Sequence, residues 1–229
     1  MTPGLPYDAA YGRMQVLEGE MKASIGARNE ATTRLNLVDQ LLFDCLGWAR
    51  ELAALENYEA GEFADYVLDT QRRLLVVEAK REGTWFELPE GLGETPTLTS
   101  LLTLGEPLTK AIAQVEDYAQ RRGTPYAAIC NGHQLIAFVA SRQDGVAPRD
   151  GKALVFDSPA ELTSRFADLW DLLSPSGARA HRLSRRLGSS VTPPPPRLAD
   201  SIPNYPGVAD APASHNLLAS LDVLFVSDS

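Results

Sequence analysis

Two short apolar runs, Tyr66-Val67-Leu68 and Leu74-Leu75-Val76-Val77, stand on either side of the polar stretch Asp69-Thr70-Gln71-Arg72-Arg73. Runs of this length and composition, bounded by polar residues, read as buried strands joined in a hairpin. A turn centred between Gln71 and Arg72 places Val67 opposite Val76, Tyr66 opposite Val77 and Asp65 opposite Glu78. Two carboxylates then meet across the ladder, each at the end of an apolar run. Like charges directly opposite on a sheet repel, and a buried charge needs a partner, so this register calls for a cation between the acids. Lys80 follows Glu78 by two residues, and alternate residues of a strand share a face.

The donor types define the expected chemistry. Hard oxygens from Asp65, Glu78 and the Ala79 backbone carbonyl suit Mg²⁺, with Mn²⁺ as a substitute. Magnesium keeps several waters and takes phosphate oxygens into its remaining positions. Such a cation would acidify a bound water and offset charge on a phosphodiester, while Lys80 orients or helps to deprotonate that water. The expectation is phosphodiester hydrolysis.

Around the hairpin the pattern alternates between helix and strand, which predicts an α/β domain with a central mixed sheet flanked by helices. From about Tyr7 to Leu55 the spacing is helical, with Leu35, Val38, Leu41, Leu42, Cys45 and Leu46 on one stripe and Asn29 as a cap. Residues 81–107 form a long connection rich in Gly, Pro, Glu and Thr, and connections of that length are often functional. A second helix is predicted from Pro107 to Arg122, stopped by Gly123. Strands follow at Tyr126 to Cys130 and Gln134 to Ala140, joined by the turn Asn131-Gly132-His133, and at Ala153 to Phe156. Ser158 and Glu161 form a capping box for a last helix running to Leu173. The organisation expected is an N-terminal helical extension (1–24), a catalytic domain (25–175), a basic helix (176–188), a proline-rich linker (189–213) and the start of a further helix or a docking segment (214–229).

Composition excludes several alternatives. No apolar run approaches the roughly 18 residues that cross a bilayer, and the N-terminus lacks a basic-then-apolar leader, so a cytoplasmic protein with no membrane contact is expected. Cys45 and Cys130 sit among apolar neighbours as core thiols. His133, His181 and His215 lack metal spacing, and His133 reads as a turn residue. The stretch Gly145 to Lys152 misses the spacing of a phosphate loop, and Ala153 stands where a hydroxyl must hold the metal. A net charge of -9 argues against a general nucleic-acid coat, yet residues 172–199 hold five arginines and no acid, enough to widen a groove or meet an acidic partner. Arg81, Arg121 and Arg122 are candidate phosphate contacts.

These elements resemble a known family. Glu30 in the first helical region, Asp65 in a strand and Glu78-Ala79-Lys80 closing the next resemble the PD-(D/E)XK nuclease superfamily. Gln114 and Tyr118, four residues apart in QVEDYAQ, look like the QxxxY element in the N-terminal nuclease domain of type I restriction-enzyme restriction subunits. The succession RNEATTRLNLVDQLLFDCLGW, EFADYVLD, LLVVEAKREG, QVEDYAQRRG and AAICNGHQLIAF is similar to that domain in order and spacing, over about residues 25–175. Ala64 occupies the position of the motif's proline, which many members lack. The resemblance implies a restriction-endonuclease-like fold and a Mg²⁺-dependent endonuclease with Asp65, Glu78, Lys80 and Glu30 as catalytic residues. In that reading Glu30 approaches the metal-bound water, whereas from the sequence alone it could simply favour a helix N-terminus. Gln114 and Tyr118 would position the hairpin or touch the nucleic-acid backbone, and Glu62 could stand behind the site. DNA is the implied substrate, with RNA the other polymer the chemistry admits. The implied partners are a fused or associated ATPase, motor or sensor module in bacterial antiviral defence, and a second copy for cutting both strands. The competing expectation is a catalytically silent nucleic-acid-binding or partner-assembly module on the same fold.

Overall fold

The computed structural model describes residues 5–23, 29–59, 62–69 and 73–188. They lie within one compact unit, Met1–Ser189. The hairpin turn at residues 70–72, the linker and the docking segment fall outside the described residues.

The chain opens with α1 (Tyr7–Ala23). Next, α2 begins at Glu30–Thr33 and continues as π-helical turns over Arg34–Val38 and Gln40–Cys45. Asn29 caps α2 as expected, its Oδ1 accepting from Thr32 N at 2.9 Å. The helical reading to Leu55 is corrected at its end. A 3₁₀ turn at Arg50–Leu52 leads into β1 (Ala53–Glu59), a strand that pairs with β2 (Glu62–Asp69). Then come β3 (Arg73–Ala79), α3 (Leu98–Leu101), α4 (Glu106–Arg121), β4 (Tyr126–Cys130), β5 (Leu135–Val139) and β6 (Ala153–Phe156). The final helix of the sequence reading is divided into α5 (Pro159–Ser164) and α6 (Phe166–Leu173), and the basic helix into α7 (Pro175–Arg179) and α8 (Arg182–Arg186). His181, at φ 53°, makes the second break.

Six strands form one mixed sheet in chain order, β1 to β6, antiparallel throughout except for β3 beside β4. A parallel neighbour requires a crossover, and α4 supplies it. Side chains alternate between two cores. Tyr66, Leu68, Leu75 and Val77 join α1, α2, α5 and α6 on one face, and Val67 and Val76 join α4 on the other. Helices on both faces explain why β4, β5 and β6 are buried at every position and read as continuous apolar runs. Each large side chain buried this way contributes roughly 1.5–3 kcal/mol relative to exposure.

The β2–β3 register follows the expected one at Tyr66 opposite Val77, Val67 opposite Val76 and Leu68 opposite Leu75; it then shifts at Leu68/Asp69 so that Asp69 faces Arg73, and the expected Asp65–Glu78 pair lies outside the paired positions. The turn between β4 and β5 packs against α2. Gly132 has φ +87°, and a Cβ there would stand 2.5 Å from Leu37 Cδ1, so only glycine fits.

Candidate active site

The carboxyl end of β3 carries the candidate residues. Glu78 is buried at 5% exposure and Ala79 is fully buried. Lys80 leaves the strand but stays tied to the sheet, its backbone N donating to Cys130 O of β4 at 2.8 Å. The same lysine's Nζ donates to Glu78 Oε1 at 2.6 Å and to Gln114 Oε1 of α4 at 3.2 Å. Lysine is a flexible point donor, and holding it at both ends restrains the ammonium.

Asp65 completes the group from β2. Beyond the Tyr66–Val77 pair its side chain turns to the neighbouring backbone, and Oδ2 accepts from Ala79 N at 2.7 Å. Its other oxygen, Oδ1, lies 3.3 Å from Arg34 Nη1 of α2. The Arg34 guanidinium also stands over the Tyr66 ring, 5.4 Å from its centroid. Tyr66 in turn donates its hydroxyl to Asp39 Oδ1 at 2.5 Å, and Arg50 meets Asp39 Oδ2 at 3.3 Å. Burial, reinforced by the Asp39 carboxylate, pushes the Tyr66 phenol well above its ordinary range, so it acts as a fixed donor. Asp65 is thereby linked to α2 through two adjacent residues of β2.

The structure thus brings together Asp65, Glu78, Ala79, Lys80 and Gln114. Other candidates stand elsewhere. Tyr118 is buried in the α4-side core, with Arg122 stacked over its ring at 4.8 Å. Arg121 pairs with Asp117 at 2.9 Å. Both arginines lie two helical turns beyond Gln114, about 11 Å along α4, toward the start of β4 and away from Lys80. Arg81 is exposed beside Lys80. The side chains of Glu30 and Glu62 fall outside the described residues. The arginine-rich stretch is partly engaged within its own unit: Arg182 pairs with Asp171, and Arg186 meets Glu94 at 3.2 Å.

His133 occupies the β4–β5 turn, as expected, but that turn is buried. Its ring is buried at 1% exposure, and Nε2 lies 2.6 Å from Oε1 of Glu82, itself buried at 1%. Glu82 N donates to Thr33 Oγ1 of α2 at 2.9 Å. Neighbouring side chains fasten the long connection after β3. Asn131 Nδ2 donates to Thr84 O, while Gln134 accepts from Phe86 N and donates to Phe86 O. Arg34, Glu82 and His133 were all missed from sequence because their partners are distant in the chain and share no short motif. Cys45 and Cys130 are free, buried core thiols, pushed up by burial to about 12 and about 11.

Among the described residues, no three His, Cys, Asp or Glu side chains form a metal cluster. The donor set nevertheless fits magnesium in its usual protein setting of one or two carboxylates supplemented by water and phosphate oxygens. Asp65 and Glu78 would be the two carboxylates, both largely sheltered from solvent, with side-chain exposures of 14% and 7%. A cavity of about 460 Å³ between α1 and α2, lined by Arg13, Gln40, Asp44 and Cys45, does not include these acids. Among the described residues no helix is long and apolar enough to cross a membrane. Comparison with protein-family models, curated proteins and solved structures returns no match.

Proposed function

We propose that this chain is a metal-dependent nuclease domain that hydrolyses DNA phosphodiesters, serving as the nuclease module of a bacterial restriction or antiviral defence system. The observation that carries this reading is Lys80. Its ammonium bridges Glu78 on the hairpin and Gln114 on α4, next to an aspartate bonded to the backbone between Glu78 and Lys80. In this reading Asp65 and Glu78 hold Mg²⁺, with the Ala79 carbonyl as a third ligand. A cation held there would acidify a water and offset charge on the phosphodiester. Lys80 donates to the attacking water or to a phosphate oxygen, and Gln114 keeps the ammonium aimed there. Arg81, exposed beside Lys80, contacts the nucleic-acid backbone. The remaining pieces of the reading, a fused or associated ATPase, motor or sensor module and a dimer that cuts both strands, rest on the sequence resemblance.

Incubating the full chain with plasmid DNA and Mg²⁺ or Mn²⁺ tests the reading. Nicked and linear products are expected from the wild type and not from Lys80→Ala or Asp65→Ala. Cleavage that survives both substitutions refutes the assignment of the site. A second reading, a silent module that binds nucleic acid without cutting, is favoured by the Arg34–Asp65 pair, because a guanidinium already occupies one candidate metal ligand. Binding without cleavage by the wild type in either metal would select it.

A further inference from the structure

Arg34 belongs neither to the motif nor to the proposed chemistry, yet it is a cation paired with Asp65. One carboxylate oxygen, Oδ2, accepts the Ala79 N–H at 2.7 Å, and the other, Oδ1, faces Arg34 Nη1 at 3.3 Å. The backbone contact is local to the hairpin and persists as long as β2 and β3 remain together. The guanidinium contact comes from another element, α2, and is the one that can change. Arg34 also has somewhere to remain: its guanidinium stands over Tyr66, whose hydroxyl is anchored to Asp39. Arginine is well suited to phosphate because its planar fork matches two oxygens at once. A dication and a guanidinium drawn to the same carboxylate oxygen repel each other, more strongly where water is largely excluded.

Resting on the nuclease reading above, we propose that Arg34 and the metal compete for Asp65 Oδ1, and that an incoming phosphodiester resolves the competition by drawing the guanidinium onto its own oxygens. Arg34 is then a positioning residue that makes metal and nucleic acid bind cooperatively. In the absence of substrate it keeps metal affinity low; with substrate it becomes a phosphate contact. Linkage requires the effect to be reciprocal, each ligand raising the affinity for the other by the same factor.

The test uses the full chain and two binding measurements that do not depend on turnover. Mn²⁺ binding without nucleic acid is followed by electron paramagnetic resonance, and binding of a DNA duplex is titrated with and without Ca²⁺. In the wild type, Ca²⁺ is expected to tighten duplex binding by at least about fivefold, the lower end of ordinary coupling between two sites. Arg34→Gln is expected to bind Mn²⁺ alone several-fold more tightly, bind the duplex more weakly without Ca²⁺, and lose most of the coupling. Mn²⁺ affinity that is unchanged or lower in a folded Arg34→Gln overturns the proposal. Should that variant fail to fold, Arg34→Met removes the charge while keeping an unbranched stem beside Tyr66. It is expected to bind Mn²⁺ more tightly than the wild type, and failure to do so has the same consequence. Asp65→Asn separates this proposal from the one beneath it: if it binds Mn²⁺ as the wild type does, Asp65 holds no metal and the nuclease reading falls as well.

Discussion

The β2–β3 and β4–β5 hairpins share one sheet and differ in where their polar groups find partners. In β4–β5 both strands are buried throughout, and the polar residues gather in the turn. There Asn131 Oδ1 accepts from His133 N at 2.9 Å and Gln134 N at 2.7 Å, while Gln134 and His133 are bonded to the adjoining connection. These contacts are satisfied within the interior, so the turn is a clasp. In β2–β3 the polar groups stand at the open ends of the strands. Asp65 and Glu78 pair with Arg34 and Lys80, long side chains that retain some solvent access, at 18% and 22%. A buried polar group bonded to backbone stabilises one structure, whereas a sheltered acid paired with a partly exposed cation stands where solvent and a ligand can reach it. That difference separates scaffold from candidate site.

The comparison can be broken most decisively at the acids. Glu78→Gln is expected to reduce plasmid cleavage by at least about 100-fold while leaving the thermal midpoint near that of the wild type, because Lys80 keeps its Gln114 contact. The clasp should behave in the opposite way. Asn131→Ala removes the acceptor of two backbone N–H groups at a fully buried position, and a loss of roughly 2–3 kcal/mol is expected in urea unfolding. Cleavage per folded molecule should change far less than with Glu78→Gln.

The buried thiols provide a pH-dependent measure of the scaffold alone. Folding raises both above the ordinary 9.0, so the native state keeps protons that the unfolded chain releases first. Their contribution is therefore present below about pH 9 and is lost as pH rises toward 11 and 12. Each thiol should remove up to about 1.4 kcal/mol per pH unit within its own window, which urea midpoints for the wild type and Cys130→Ala would resolve. The raised Tyr66 phenol acts with the same sign. The smallest change belongs to the surface: Arg121→Ala, which breaks a half-exposed pair with Asp117, should alter stability by no more than about 0.5 kcal/mol in the same assay.

Much of the hairpin was legible because its signals are local. The alternation of side chains and a short turn together predict which residues oppose one another, and the paired positions from Tyr66 to Leu68 follow that register. The Asn29 and Ser158 caps, the stop at Gly123 and the short strand β6 are local in the same sense. β1 was missed because the helical reading ran past Gly47, which at φ 77° follows the end of α2, and its identity as a strand comes from pairing with β2. The burial of His133 was missed for a related reason, since a histidine in a turn shows its environment only once Glu82 is brought beneath it.

Sequence alone determined which side chains stand at the ends of the β2–β3 hairpin: two acids and a lysine, gathered by strands whose side chains repeat every two residues. Tertiary structure decided what those groups touch. Arg34 reaches Asp65 from α2 and Gln114 reaches Lys80 from α4, and these helices pack on opposite faces of the sheet. The physical reason is range. A strand repeat acts between neighbours along the chain, whereas an ion pair or hydrogen bond between distant residues exists only after the two apolar faces of the sheet have been covered.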